Sequence, residues 1–174
     1  LVRRYLSGTC ASGLFEARLA REEYGGTVVT YCAGYKSSEI DQIIALSDHL
    51  IFNSPAQKDR FLPRVQASDR PVHVGLRINP EHSEGEIAKY DPCAPGSRLG
   101  TPVSQLDHAV LSGVDGLHMH TLCEQGFEPL DRTWAAIVDR ITPYLGQLKW
   151  LNFGGGHHIT RSDYDREALI AFIS

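Results

Sequence analysis

The sequence predicts an α/β fold on three observations. Six short runs of strand-forming residues recur along the chain: SGTCAS (7–12), TVVTYC (27–32), HLIF (49–52), VHVGLRIN (72–79), GLHMH (116–120) and KWLNF (149–153). Each is followed by an amphipathic helical pattern or a long irregular loop. The runs are apolar rather than alternating, the mark of parallel strands covered on both faces by helices. No GxGxxG follows the first run, so a dinucleotide-type sheet loses support. The expected architecture is a partial TIM (β/α)8 barrel, about six of eight βα units, in one incomplete domain over residues 1–174. LVRRYL reads as the tail of one helix, and the last helix, Tyr164 to Ile173, has no stop signal. One unit before and one after are therefore expected, so that the first and last strands are lacking. An open barrel exposes two sheet edges, and the chain alone is expected to be poorly folded and inactive.

In order, the first helix lies within SGLFEARLAREEYGG, with Ser12 as cap, Phe15 and Leu19 facing inward at i, i+4, and Gly25 and Gly26 as the stop. SSEIDQIIALSDH gives a second, with Ile40, Ile43 and Ile44 on one face and Ser37 or Ser38 as cap. Asn53 or Ser54 opens a third, whose inward face includes Phe61, Leu62 and Val65. After the fourth strand comes an irregular stretch from Pro80 to Pro102, rich in Pro, Gly, Ser and acids; its length and its place after a strand C-terminus point to function. Residues 103–112 are expected to be helical, as are 128–142, where Leu130, Trp134, Ile137, Val138 and Ile141 keep a helical period.

The composition, 42% hydrophobic and 22% charged, is that of a soluble globular protein. A net charge of −4 with scattered basic residues argues against nucleic acid as a partner. No apolar run approaches the roughly 20 residues of a membrane span. Cys10, Cys32, Cys93 and Cys123 form no CxxC pair, which suits a reduced, cytoplasmic protein.

The chemistry-bearing stretch is WLNFGGGHHIT (150–160), where a strand runs into Gly154, Gly155 and Gly156 and then His157 and His158. Three glycines in a row cost backbone entropy, and the usual need for them is close approach of peptide N–H groups to an anion such as a phosphate. With one strand upstream, this loop follows the seventh barrel strand, where phosphate sites gather. A flexible turn is the plainer alternative. His118 and His120 alternate on one strand and so share a face toward the barrel mouth. They could supply two imidazoles to a metal, with Cys123, His157 or His158 completing it, or one could stack on a planar cofactor; spacing does not separate these. Arg77 lies near its strand end with Asn79 on the same face, and a buried arginine there needs a carboxylate, phosphate or phenolic oxygen. Cys10 and Ser12 end the first strand, with Glu16 a turn further on, and Cys10 reads as a small residue packing beneath a helix. Glu81, Glu84, Glu86 and Asp91 in the long loop form a solvated acidic face, or suit a substrate bearing several ammonium groups.

GLRINPEHSE, YDPCAPGSRLG, GLHMHTLCEQG and WLNFGGGHHITR closely resemble the carboxynorspermidine (carboxyspermidine) decarboxylases, and the similarity runs over essentially the whole chain. The resemblance implies a pyridoxal 5'-phosphate enzyme with an alanine-racemase-like barrel, alongside ornithine and diaminopimelate decarboxylases. It implies decarboxylation of carboxynorspermidine or carboxyspermidine to norspermidine or spermidine, and a homodimer with its active site at the interface. Carried over by position, Gly154, Gly155 and Gly156 match the cofactor-phosphate loop, and His120 the catalytic histidine stacked on the pyridine ring. Arg77 matches the arginine near the phenolic oxygen, and Cys123 stands where the ornithine branch has a phosphate-binding serine. Thr9 replaces that branch's aspartate before CAS, and His157 and His158 replace apolar residues, which places them nearer the polyamine. Glu84 and Asp91 are the candidates for the distant ammonium groups. The resemblance puts the Schiff-base lysine before residue 1, since Lys36, Lys58, Lys89 and Lys149 fit no such context. It puts the C-terminal β-domain and the rest of the phosphate site after Ser174. The alternatives are a metal-dependent barrel hydrolase using His118 and His120, and a non-catalytic cofactor-binding protein.

Overall fold

The computed structural model describes residues 2–85 and 87–174; Leu1 and Glu86 lie outside the described residues. Six strands, β1 (Gly8–Ala11), β2 (Thr27–Tyr31), β3 (His49–Phe52), β4 (His73–Asn79), β6 (Gly116–His118) and β7 (Trp150–Asn152), pair in parallel in that order. A two-residue β5 (Thr101–Pro102) pairs with the end of β4. The helices are α1 (Leu14–Leu19), α2 (Ile40–Leu46), α3 (Pro55–Gln66), α4 (Glu128–Ile141) and α5 (Arg166–Ile173). Sequence-neighbouring strands lying side by side, with an α-helix between each pair except β4 and β6, make the half-barrel the sequence predicts.

The strands are not uniformly apolar. One face carries Leu50, Phe52, Val74, Leu76, Ile78, Leu117 and Met119, which pack in one core with Ile43 and Ile44 of α2, Phe61 and Val65 of α3, and Leu130, Ile137 and Ile141 of α4. Alternation puts Tyr31, Arg77, His118 and Asn152 on the opposite, concave face. Register aligns three of them, since Arg77 pairs with His118 and His118 with Asn152. Below them Trp150 lies across its neighbours: a Cβ on Gly116 would come 2.1 Å from the indole, and one on Gly75 2.5 Å. Its ring also meets His49 at 5.2 Å, and His49 meets His73 at 5.0 Å, so aromatic groups fill the floor of the half-barrel.

Three helical expectations are corrected. In α1, Phe15 and Leu19 are 78% and 61% exposed, while Leu14, Ala17 and Ala20 are buried. The helix sits close on the sheet through a cluster of small residues, Ala11, Ala17, Ala20 and Val28, and a wider π-helical turn over Ala20–Tyr24 follows, so an i, i+4 stripe of large residues does not mark the inner face. Ser12 is not its cap; its N–H and hydroxyl both donate to Glu16, at 2.7 Å. In α2 neither Ser37 nor Ser38 caps, the N-cap being Glu39 without a side-chain bond. Ser54 does cap α3, accepting from the Gln57 N–H.

The third correction concerns residues 103–112, where only a 3-10 turn, Val103–Gln105, and further turns form. Side chains from elsewhere claim their carbonyls: Tyr144 donates to Leu106, and the buried Lys58 ammonium donates to Val110 and Ser112, both at 2.8 Å. Asp107 accepts the Val110 N–H at 2.7 Å, a local turn in place of helical bonding.

Candidate functional site

The concave face and the loops at the strand C-termini bring most of the sequence-predicted residues together. The glycine loop leaves β7 through an Asx turn, the Gly154 N–H donating to Asn152 Oδ1 at 2.8 Å. It then runs beside the segment after β6. Met119 N–H donates to the Asn152 carbonyl, Gln125 N–H to the Gly156 carbonyl, and His158 N–H to the Gln125 carbonyl. Two of the glycines are required by this contact. Gly154 (φ 76°) and Gly156 (φ 93°) have left-handed backbones, and a Cβ on either would come 2.5 Å from the Met119 oxygen or 2.2 Å from the Leu122 oxygen. Gly155 is different. A Cβ there would meet only the His120 ring, at 4.0 Å, and its N–H points to His120 Nδ1 at a long 3.5 Å.

Arg77 is 6% exposed, yet forms no ion pair with a carboxylate among the described residues. Nη1 donates to the Tyr31 phenol at 2.7 Å, Nη2 to the His120 carbonyl at 3.3 Å, and Nε has no partner. Its guanidinium also lies 4.9 Å from the Tyr31 ring centre. A buried cation held by neutral oxygens, with a donor left over, is suited to an anionic ligand.

His118 packs between Tyr31 (ring centres 5.5 Å) and His120 (6.4 Å). Burial pushes its imidazole down to about 4, and the Arg77 and His120 charges act in the same direction. His120 is lowered by burial, then by Arg77 and His157. Burial lowers His157 too. The site thus holds neutral imidazoles beside one fixed cation, whereas burial raises the Tyr31 phenol against the opposing pull of Arg77.

The remaining expected residues sit at the margin. His157 Nδ1 meets the Tyr164 hydroxyl at 2.5 Å. Cys123 is exposed, and its N–H donates to Gln125. The Glu84 carboxylate takes two bonds from Arg132, at 2.7 and 2.6 Å, which ties the long loop to α4. Asp91 accepts from Ser83 and from the Cys93 N–H, folding the loop on itself. Burial, with Asp91 beside it, raises the Cys93 thiol to about 11. The four lysines are engaged elsewhere: Lys36 with Glu39, Lys58 with the carbonyls named above, Lys89 against Tyr90, and Lys149 with Asp115. A metal reading of His118 and His120 finds no third ligand, because no group of three or more His, Cys, Asp or Glu converges among the described residues. Sequence reasoning missed Tyr31, Asn53 and Asn152. Only the alternation hidden inside TVVTYC and WLN could have found the first and last.

No protein-family model matches the chain. It is 40% identical over 171 residues to the carboxynorspermidine/carboxyspermidine decarboxylase of Campylobacter jejuni, covering 98% of this chain and 44% of that protein. It is 41% identical over 172 residues to the carboxyaminopropylagmatine decarboxylase of Synechocystis, covering 99% and 44%. The crystal structure of carboxynorspermidine decarboxylase complexed with norspermidine from Campylobacter jejuni matches with a TM-score of 0.85 at 38% identity, over 98% of this chain and 43% of that one. A diaminopimelate decarboxylase crystal structure, at 19% identity and a TM-score of 0.72 over 94% and 41%, shares the fold. The chain spans about 44% of the length of the curated relatives it matches. On sequence and fold together it is similar to the carboxynorspermidine decarboxylases, which it matches over part of their length.

Proposed function

We propose that this chain forms the cofactor-facing part of a pyridoxal-phosphate-dependent decarboxylase acting on carboxylated polyamines. The observation that carries the reading is the buried Arg77 cation, unpaired with any carboxylate among the described residues, beside the open Gly155 N–H and the His120 ring. Those residues fit the cofactor: the glycine loop offers peptide N–H groups to a phosphate, His120 offers a neutral ring face, and Arg77 offers an N–H to an oxygen anion. Pyridoxal phosphate, when bound, supplies the electron sink for loss of carbon dioxide. The chain's own residues hold and orient. Arg77 supplies the site's guanidinium, and the lowered imidazoles of His118 and His120 add no competing cation.

The relatives are named for carboxynorspermidine, carboxyspermidine and carboxyaminopropylagmatine, and an amino acid joined to a basic amine chain, the chemistry those compounds share, is the substrate class proposed for this site. Asp91 and Glu84 of the long loop, with His157, His158 and Cys123 at the margin, are proposed to meet the distal amine and the phosphate edge. Homodimerisation and a lysine outside residues 1–174 complete the reading. Carbon dioxide release from the three carboxylated amines by the full-length protein, lysine included, tests it: turnover of at least one supports it, and turnover of none while pyridoxal phosphate is bound refutes it. Alanine at Asp91 should raise KM more than it lowers kcat.

A further inference from the structure

The concave face carries a chain of hydrogen bonds whose direction is fully determined, and two of its members, Tyr31 and Asn53, lie outside the residues the sequence singles out for the site. Asn53 sits just after β3. Its Nδ2 donates to the Arg98 carbonyl and its Oδ1 accepts the Gly100 N–H, both at 2.8 Å. Backbone groups cannot exchange donor and acceptor roles, so these two bonds fix which way the amide points. Oδ1 also lies 2.8 Å from the Tyr31 hydroxyl, which must therefore donate to it. Arg77 Nη1, a donor only, completes the order by donating its N–H hydrogen bond to the same phenol oxygen at 2.7 Å. The end of the long loop is joined to this chain, for Gly100 (φ 84°) packs so tightly on β4 that a Cβ would come 2.7 Å from the Ile78 carbonyl carbon.

We propose that Tyr31 and Asn53 are positioning residues which set the direction of the Arg77 guanidinium, so that Nε is turned to a ligand oxygen, and that they link this direction to the seating of residues 98–100. The role of that ligand as pyridoxal phosphate rests on the function proposed above. Without the phenol, Arg77 loses its shortest anchor, and the planar group is free to swing about Cδ–Nε, which carries the Nε–H with it, as well as to turn about Nε–Cζ.

Two readouts test this on the same variants. Nitrogen-resolved NMR of the Arg77 side chain, without cofactor, reports guanidinium motion; Tyr31→Phe is expected to speed it at least about tenfold, the factor for loss of one charge-assisted hydrogen bond, and Asn53→Ala to speed it by a smaller factor, since it removes only the neutral bond behind it. Fluorescence titration with pyridoxal phosphate gives the second. Tyr31→Phe is expected to weaken binding about tenfold beside Arg77 and less than about twofold in an Arg77→Ala background, since a residue acting through another couples to it. Unchanged rotation in Tyr31→Phe, or equal weakening in both backgrounds, would overturn the proposal. Faster rotation in a protein whose parent binds no pyridoxal phosphate would uphold the relay and sink the cofactor reading instead.

Discussion

Gly156 and the Leu122 carbonyl are in such close contact that a Cβ on the glycine would stand 2.2 Å from the oxygen. The loop after β7 is thus seated on the loop after β6, and its backbone N–H groups are presented by that seating. Gly156→Ala must either shift the Leu122 peptide or abandon φ 93°. It is expected to cost about 1–3 kcal/mol, the usual range for a forced backbone, and to lower Tm by several degrees in a thermal melt. Gly155→Ala, whose Cβ meets nothing nearer than 4.0 Å, is expected to leave Tm unchanged while weakening pyridoxal phosphate binding. Equal melting losses for the two variants would contradict this division.

The floor of the half-barrel gives a second expectation. Gly116→Ala would drive a methyl group into the Trp150 indole, 2.1 Å away, and is expected to destabilise by about 1–3 kcal/mol through overpacking. In a Trp150→Leu background the same change should cost less, because the clashing atoms are gone. Denaturant unfolding of the four proteins checks this; additive losses would show that the indole is not the obstacle.

Acid should weaken the fold through His118. Its folded pKa, about 4, lies below the ordinary histidine value of 6.5, so between these pH values the unfolded chain binds the proton and the folded chain does not. Stability is then complete above pH 6.5, falls as pH drops from 6.5 to about 4, and changes no further from this group below that; the whole loss is on the order of 3 kcal/mol. His49, His120 and His157 are lowered in the same direction and add to the slope. Urea unfolding at pH 7 and pH 5 should therefore differ, and His118→Gln should narrow the difference. A wider difference in the variant would contradict the assignment.

The strands were legible because their outer faces are runs of Val, Ile, Leu and Phe, and burial against helices tolerates little else. What those runs hid was the alternation beneath: Tyr31 sits in TVVTYC as one more β-former, and its partners Arg77 and Asn53 are 46 and 22 residues away. The glycine loop, Arg77 and the histidine pair stood out because each is costly in a core without a purpose. Helix faces were read less well where tertiary contacts override period. Phe15 and Leu19 have the spacing of a buried stripe, but the close seat of α1 on β1 and β2 admits Ala17 instead. In residues 103–112, Leu106 and Leu111 are buried as a helix would bury them, while Tyr144 takes the Leu106 carbonyl and Asp107 the Val110 N–H, the two groups a helix would pair with each other. Glu84 shows the same limit on the site, since no local pattern announces that Arg132, 48 residues on, holds its carboxylate.

The central claim is that the concave face is a pyridoxal phosphate site with Arg77 as its buried cation. The most direct measurement is a titration of pyridoxal phosphate into the protein and its Arg77→Ala variant, followed by absorbance and protein fluorescence, with inorganic phosphate as competitor. Saturable binding of one cofactor per chain, displaced by phosphate and weakened at least about tenfold by the substitution, is the expected result, from loss of a charge-assisted hydrogen bond. Binding that is non-saturable, or indifferent to both phosphate and Arg77, would contradict it.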